Sequence, residues 1–180
     1  MRITKGTPEQ YPEVRGFYHA LIDALEGAPY HPMWQKDVYP APEALQEALG
    51  EDSLFLGWDG QRIAAAMVLN RACSQAYLTA AWPTELGPEE FLVIHMLGVH
   101  SDFAGCGYAR EMVRYAIDYA GAAGLKAVRL DVLKGNLPAE RLYESLGFLW
   151  ADTASLFYED TGWAEFLLYE YRLDGVSPEG

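Results

Sequence analysis

The segment "GVHSDFAGCGYAREMVRYAIDYAG" (residues 98–121) gathers small residues, Ala104, Gly105, Gly107 and Ala109, where a strand pattern gives way to a helix pattern. Before it, "FLVIHMLGV" (91–99) is a continuous apolar run that predicts a buried strand. After it, Tyr108, Met112, Val113, Ala116, Ile117 and Ala120 fall on one helical face, with Arg110, Glu111, Arg114 and Asp118 opposite. The first turn of such a helix presents unbonded N–H groups and the positive end of the helix dipole. Gly105 and Gly107 lack the Cβ atoms that would hold an anion off those donors, so a phosphate, a nicotinamide dinucleotide or a second helix are the candidate occupants. A dinucleotide fold wants G-x-G-x-x-G early in the chain, with an acidic residue some 20 positions on. Here the spacing is G-x-G-x-A, past the midpoint, and the lysine of a P-loop is missing.

Working outward, residues 7–26 predict a first helix from the spacing of Val14, Phe17, Tyr18, Leu21, Ile22 and Leu25, with Thr7 to Gln10 as its cap. "GAPYHPMWQKDVYPAP" (27–42) has no period but carries Tyr30, His31, Trp34 and Tyr39, which either line a substrate pocket or cover the core. A short helix runs from Pro42 to Leu49. Strands follow at 54–58, 61–71, 75–82, 91–99 and 126–133, the first two joined by an Asp59-Gly60 hairpin signal. Helices at 107–121 and 136–146 alternate with the later strands, and a hairpin at Asp160-Thr161-Gly162 closes the chain. The order predicts an α+β fold, a mixed and mostly antiparallel sheet of about seven strands with about four helices. Residues 1–173 read as one domain and 174–180 as a flexible tail.

Composition narrows the function. The 180 residues carry a formal net charge of −13, which disfavours nucleic-acid backbones and suits either a cationic substrate or solubility alone. Cys73 and Cys106 form neither a disulfide framework nor a metal spacing, so no metal is expected. No signal peptide opens the sequence, and no apolar run reaches the roughly 20 residues of a membrane span. A cytoplasmic protein without membrane contact is the expectation.

"LGVHSDFAGCGYAREMV", followed some 30 residues later by "NLPAERLYESLGF", resembles the GNAT superfamily of acyl-CoA-dependent N-acetyltransferases. The first family motif is approximately Leu-x-Val-x-x-x-x-[Arg/Gln]-Gly-x-Gly-x-[Gly/Ala], met here by Leu97, Val99, Gly105, Gly107 and Ala109. The second, Asn with Ala at +3, Tyr at +7 and Gly-Phe at +11 and +12, is met by Asn136, Ala139, Tyr143, Gly147 and Phe148. Two departures stand out: Ala104 replaces the usual Arg or Gln, and Ser101 the usual Pro. Losing the Arg or Gln side chain puts cofactor affinity in question.

The resemblance implies acetyl-CoA as co-substrate and direct attack by a primary amine, most simply a small molecule. A protein or peptide amine, or a non-catalytic acyl-CoA-binding sensor, are the alternatives. It implies that the pyrophosphate sits on the amides of Ala104 to Ala109 (Gly105, Gly107 and Tyr108 among them) and Arg110, and that main-chain groups of Leu97 and Val99 pair with the pantetheine arm. It further implies that Tyr143 protonates or hydrogen-bonds the departing thiolate. Asn136 either touches pantetheine or amine or only caps its helix. His95 is the side-chain candidate for the base, against a reading as a satisfied core histidine. Glu85, Glu89 and Glu90 are alternatives for base or cation binding, and His100 reads as structural. Tyr30, Trp34 and Glu85 are the substrate candidates, and a homodimer is compatible with the family.

Overall fold

The computed structural model describes residues 1–30 and 32–173; His31 of the aromatic loop and the expected tail 174–180 lie outside the described residues. Among the described residues the strands are β1 (Arg2–Lys5), β2 (Leu54–Asp59), β3 (Arg62–Asn70), β4 (Phe91–Val99), β5 (Ala127–Leu133), β6 (Leu149–Tyr158) and β7 (Gly162–Arg172). The helices are α1 (Tyr11–Leu25), α2 (Pro42–Gly50), α3 (Gln75–Thr79), α4 (Tyr108–Ala122) and α5 (Leu137–Ser145), with 3-10 turns at Pro8–Gln10 and Ser101–Phe103. One sheet runs β1-β2-β3-β4-β5-β7-β6. Every neighbour pair is antiparallel except β4 and β5, which α4 joins as a parallel crossover. This is the mixed α+β architecture expected from the order of elements.

Alternation along the strands sorts the core into layers. Val128, Leu130 and Val132 of β5 face Met112, Val113, Ala116 and Ala120 of α4 together with Tyr143 of α5. The other face of β2 and β3 is covered by α1 and α2 through Val14, Tyr18, Leu21 and Leu49. On the same side but further along, Tyr77 of α3 packs on Phe91, Val93, Phe166 and Leu168.

Of residues 75–82, expected as a strand, 80–82 belong to no strand and Gln75–Thr79 form α3 instead. Its five residues are too few for the two periods to differ decisively, and tertiary contact decides: Tyr77 is buried and donates its hydroxyl to Asp131 at 2.7 Å. The strand lost there is replaced by β1, whose four residues pair with Phe55 to Trp58 at the sheet edge. The first hairpin turns at Gly60-Gln61 rather than Asp59-Gly60, because Asp59 still pairs with Arg62 and Gly60 takes the positive φ. β6 starts five residues earlier than its expected core, with a register break between Trp150 and Asp152.

Candidate active site

The site begins with an irregularity in β4. Between the pairs Ala66–Gly98 and Val68–His95 the register advances two residues on β3 and three on β4. The extra residue makes a bulge, and Met96 takes a left-handed φ of 54°. The Met96 carbonyl accepts the Tyr18 hydroxyl of α1 at 2.8 Å, which holds the bulge in place. Gly98 lies beneath the same helix; a Cβ there would meet Leu21 at 2.4 Å. Parallel pairing of β4 with β5 ends at Val93–Arg129, while β5 goes on pairing with β7 as far as Leu133–Phe166. The two strands therefore part midway along β4. The His100 amide donates to the Ala64 carbonyl at 2.9 Å. Ladder alternation then turns the amide and carbonyl of Val99 away from β3, toward the side β5 has left.

A cavity of about 400 Å³ fills the gap. His95, Leu97 and Val99 line it from β4, Ala109 from α4, and Asn136 and Tyr143 from α5. Tyr30 and Trp34 close it from the loop after α1. That loop is tied down: Asp37 accepts from Arg15 Nε and Nη2, at 2.8 and 2.6 Å, and contacts His19 at 2.9 Å. These partners hold the Asp37 carboxyl near 2, the Arg15 hydrogen bond contributing most. Trp34 lies between Tyr18 and Tyr39, at ring separations of 6.0 and 5.9 Å, and Tyr39 meets Tyr158 of β6 edge-on at 5.2 Å. Tyr30 and Trp34 thus stand together with the motif residues.

Glu85 does not. It is exposed in the loop before β4, at the end where β4 and β5 are still paired, and neither it nor Glu89 or Glu90 lines the cavity. Glu89 and Glu90 are held instead by Arg71 and Lys126. His100 accepts the Asp102 amide and packs near Phe17 and Phe103, a structural position.

The turn ahead of α4 is built as an amide cluster. Gly105 and Gly107 have φ of 79° and 82°, a region strained for other residues, and no atom lies within 4 Å of where a Cβ would stand on either. The amides of Ala104 and Cys106 are already bonded to Ser101 and Phe103 carbonyls. Those of Gly105, Gly107, Tyr108, Ala109 and Arg110 take no partner among the described residues. The Tyr108 hydroxyl is committed to Asp59 at 2.5 Å, so its amide is what it offers to the turn; Arg110 reaches Ser145 of α5 at 2.8 Å.

Two side chains in the gap are left available. Asn136 occupies the N-cap position of α5 but makes no side-chain cap bond. The buried Tyr143 packs on Phe148 at 5.5 Å and its hydroxyl bonds to none of the described residues. Burial pushes that phenol well above its ordinary value, and the charge of Asp131 adds to it. His95 Nε2 lies 3.0 Å from the Ala72 carbonyl. A carbonyl only accepts, so Nε2 carries the proton and the basic lone pair is on Nδ1. Burial lowers the His95 pKa, while Asp131 and the Ala72 bond pull it back up.

Asp131 itself was not singled out in the sequence. In "KAVRLDVL" it looks like one more outward polar residue of an alternating strand, yet it lines the cavity with Tyr77 on Oδ1 at 2.7 Å and Tyr158 on Oδ2 at 3.0 Å. Asp160, in the β6–β7 turn, also lines the cavity and was equally unmarked. Among the described residues no group of three or more His, Cys, Asp or Glu is placed to hold a metal, and no helix is long and apolar enough to cross a membrane.

Comparison with known proteins agrees with this geometry. A mycothiol acetyltransferase of Corynebacterium glutamicum is 32% identical over 102 residues, 57% of this chain and 30% of that protein. The match thus spans less than a third of that relative's length. A GNAT-family acetyltransferase structure from Listeria monocytogenes superposes with a TM-score of 0.73 at 15% identity, covering 96% of this chain and 94% of that one. A structure from Salmonella typhimurium, described as an acetyltransferase with its cofactor acetyl-CoA, gives 0.68 at 16% identity, covering 98% and 96%. At such identities the likeness speaks for the fold. The sequence model described as Acetyltransferase (GNAT) family matches residues 18–148, most of the chain, from α1 through the Gly-Phe that follows α5. With both motifs inside that span, the chain belongs to the GNAT acetyltransferase family.

Proposed function

We propose that residues 1–173 form an N-acetyltransferase domain that moves an acetyl group from acetyl-CoA to the primary amine of a small molecule. The observation that carries this is the pairing of a parted β4–β5 junction with an amide cluster at the start of α4. The cluster fits a pyrophosphate: five N–H groups lack partners, and space is open at both left-handed glycines. The amides of Gly105, Gly107, Tyr108, Ala109 and Arg110 would hold the phosphates, replacing what Ala104 cannot supply as a side chain. Main-chain groups of Leu97 and Val99 would align the pantetheine as a strand, with Asn136 beside it.

Bound acetyl-CoA supplies an activated acyl carbon and a thiolate leaving group. The chain's residues handle protons and charge around it. His95 Nδ1 accepts a proton from the incoming ammonium, so that the neutral nitrogen forms the C–N bond as the C–S bond breaks. Asp131 stabilises the resulting imidazolium. Tyr143, whose raised pKa makes full transfer to a thiolate of ordinary pKa near 8.5 uphill, serves as a hydrogen-bond donor to the departing sulfur. Once the C–S bond has broken, the acetylated nitrogen gives up its remaining extra proton and the thiolate takes one up, so the products are the neutral amide and the free thiol, and the imidazolium returns its proton to solvent.

Free-thiol release from acetyl-CoA across a panel of small amines and short peptides, with acetyl-CoA binding followed by calorimetry, tests the reading. Turnover of a small amine supports it. Turnover of peptides alone would change the acceptor class, and absence of acetyl-CoA binding would overturn the assignment of the amide cluster.

A further inference from the structure

A second carboxylate, that of Asp160, lines the cavity with no ion-pair partner among the described residues. Asp160 lies in the β6–β7 turn, and its backbone carbonyl accepts Gln35 Nε2 at 3.0 Å, which joins the turn to the aromatic loop. Its Oδ1 is shielded from solvent and completes no hydrogen bond of full geometry, the amides of Asp160 and Thr161 being its nearest compensation, and among the described residues no Lys, Arg or His forms an ion pair with the carboxyl. A buried, unpaired carboxylate oxygen is destabilising in the empty protein. Burial raises the Asp160 pKa, with the amides of Asp160 and Thr161 opposing. Asp131 differs: both of its oxygens already accept tyrosine hydroxyls. Two carboxylates therefore line one cavity, the first satisfied beside His95 and the second unsatisfied at the turn. Tyr30, Trp34, Tyr39 and Tyr158 line the same space, and aromatic faces suit both an alkyl chain and a cation.

We propose that the acceptor is a dication, with its reacting primary amine at His95 and a second ammonium or guanidinium group held by Asp160. The segment between the two charges is apolar and lies along the aromatic wall. The net charge of −13 favours the approach of such a molecule over a neutral or anionic one. The position of the reacting end rests on the acetyl-transfer reading; the anchor at Asp160 rests on its carboxyl lining the aromatic cavity without a cationic partner among the described residues.

Calorimetry with no acetyl donor separates the two. Straight-chain α,ω-diamines of three to six carbons are compared with monoamines of equal length, on the wild type and on Asp160→Asn. The expected result is that at least one diamine binds the wild type about tenfold or more tightly than its monoamine, as a charge-assisted hydrogen bond warrants. Asp160→Asn should erase that difference, with monoamine binding unchanged and the thermal midpoint of the empty protein no lower than the wild type's. Equal binding of diamines and monoamines to the wild type, or a preference that survives in Asp160→Asn, would overturn the proposal. A preference that depends on Asp160 in a protein that releases no thiol from acetyl-CoA would leave the anchor standing and sink the acetyl-transfer reading. Thiol release with monoamines and diamines alike, unaffected by the variant, would do the reverse.

Discussion

Tyr143 and His95 are shifted in opposite directions by the same apolar surroundings, and each shift suits its place in the proposed reaction. Burial disfavours the charged form of either, so the phenol keeps its proton and the imidazole stays neutral. For Tyr143→Phe the expected outcome is a kcat lower by roughly 100-fold with the KM for acetyl-CoA little changed, the pattern of losing one preset donor to a developing charge. A fall in acetyl-CoA affinity alone would mean that the ring only packs. For His95 the sign follows from the base being the neutral form. Because its pKa lies below the ordinary 6.5, the acid limb of the kcat/KM profile should fall only below that pH. His95→Gln should lower the plateau by roughly 100-fold and remove that limb. An unchanged profile in the variant would assign the proton to another group.

At the scale of elements, the turn before α4 combines two demands that one substitution can separate. Gly107→Ala places a residue with a Cβ at a φ of 82°, which costs about 1–2 kcal/mol in stability by backbone strain alone. No described residue lies within 4 Å of the added methyl, so a loss of affinity beyond that strain is expected to come from the ligand. Acetyl-CoA affinity measured by calorimetry at a temperature where the variant is folded should fall by more than tenfold; unaltered affinity would show that the phosphates lie elsewhere. This turn was legible in the sequence because its information is local: glycine spacing, a helix start and a preceding strand all lie within 20 residues. Helix α3 was not legible, since its five residues are too few to separate a helical from a strand period, and Tyr77 is held by Asp131, 54 positions away. Asp131 and Asp160 were hidden for a related reason. Each sits in a local pattern that polar surface residues also occupy, and only the closing of β5 and β7 against the aromatic loop turns them inward.

At the scale of the whole molecule, a buried ion pair between β5 and β7 lies at the paired end of β4 and β5, and its arginine reaches across to the β4 side. Arg129 of β5 donates to Glu170 of β7 at 2.9 Å and to the Thr84 carbonyl at 2.7 Å, between the rings of Trp82 and Phe91 at 4.1 and 4.3 Å. Both charges are almost wholly excluded from solvent, at 1% and 0% exposure. Glu170→Gln would leave the guanidinium buried without its counter-charge, a loss of about 3–5 kcal/mol. For a chain of this size that corresponds to a thermal midpoint lower by on the order of 10 °C. Differential scanning calorimetry checks it, and a shift within a degree or two would mean that water reaches the pair. Replacing both partners with apolar residues of similar volume should recover much of the loss.

That reach gives the parting of β4 and β5 a mechanical meaning. The ladder between β1–β4 and β5–β7 holds just three residue pairs, Phe91–Ala127, Leu92–Val128 and Val93–Arg129, and beyond them the sheet resembles an open clasp, with Arg129 reaching across its hinge to Thr84 and Phe91. Helix α4 crosses the back of the clasp and packs on both leaves. A molecule seated in the mouth touches both leaves at once, so it completes the architecture as much as it occupies a site. Filling the mouth is therefore expected to join the two leaves more stiffly, even where no residue changes its fold.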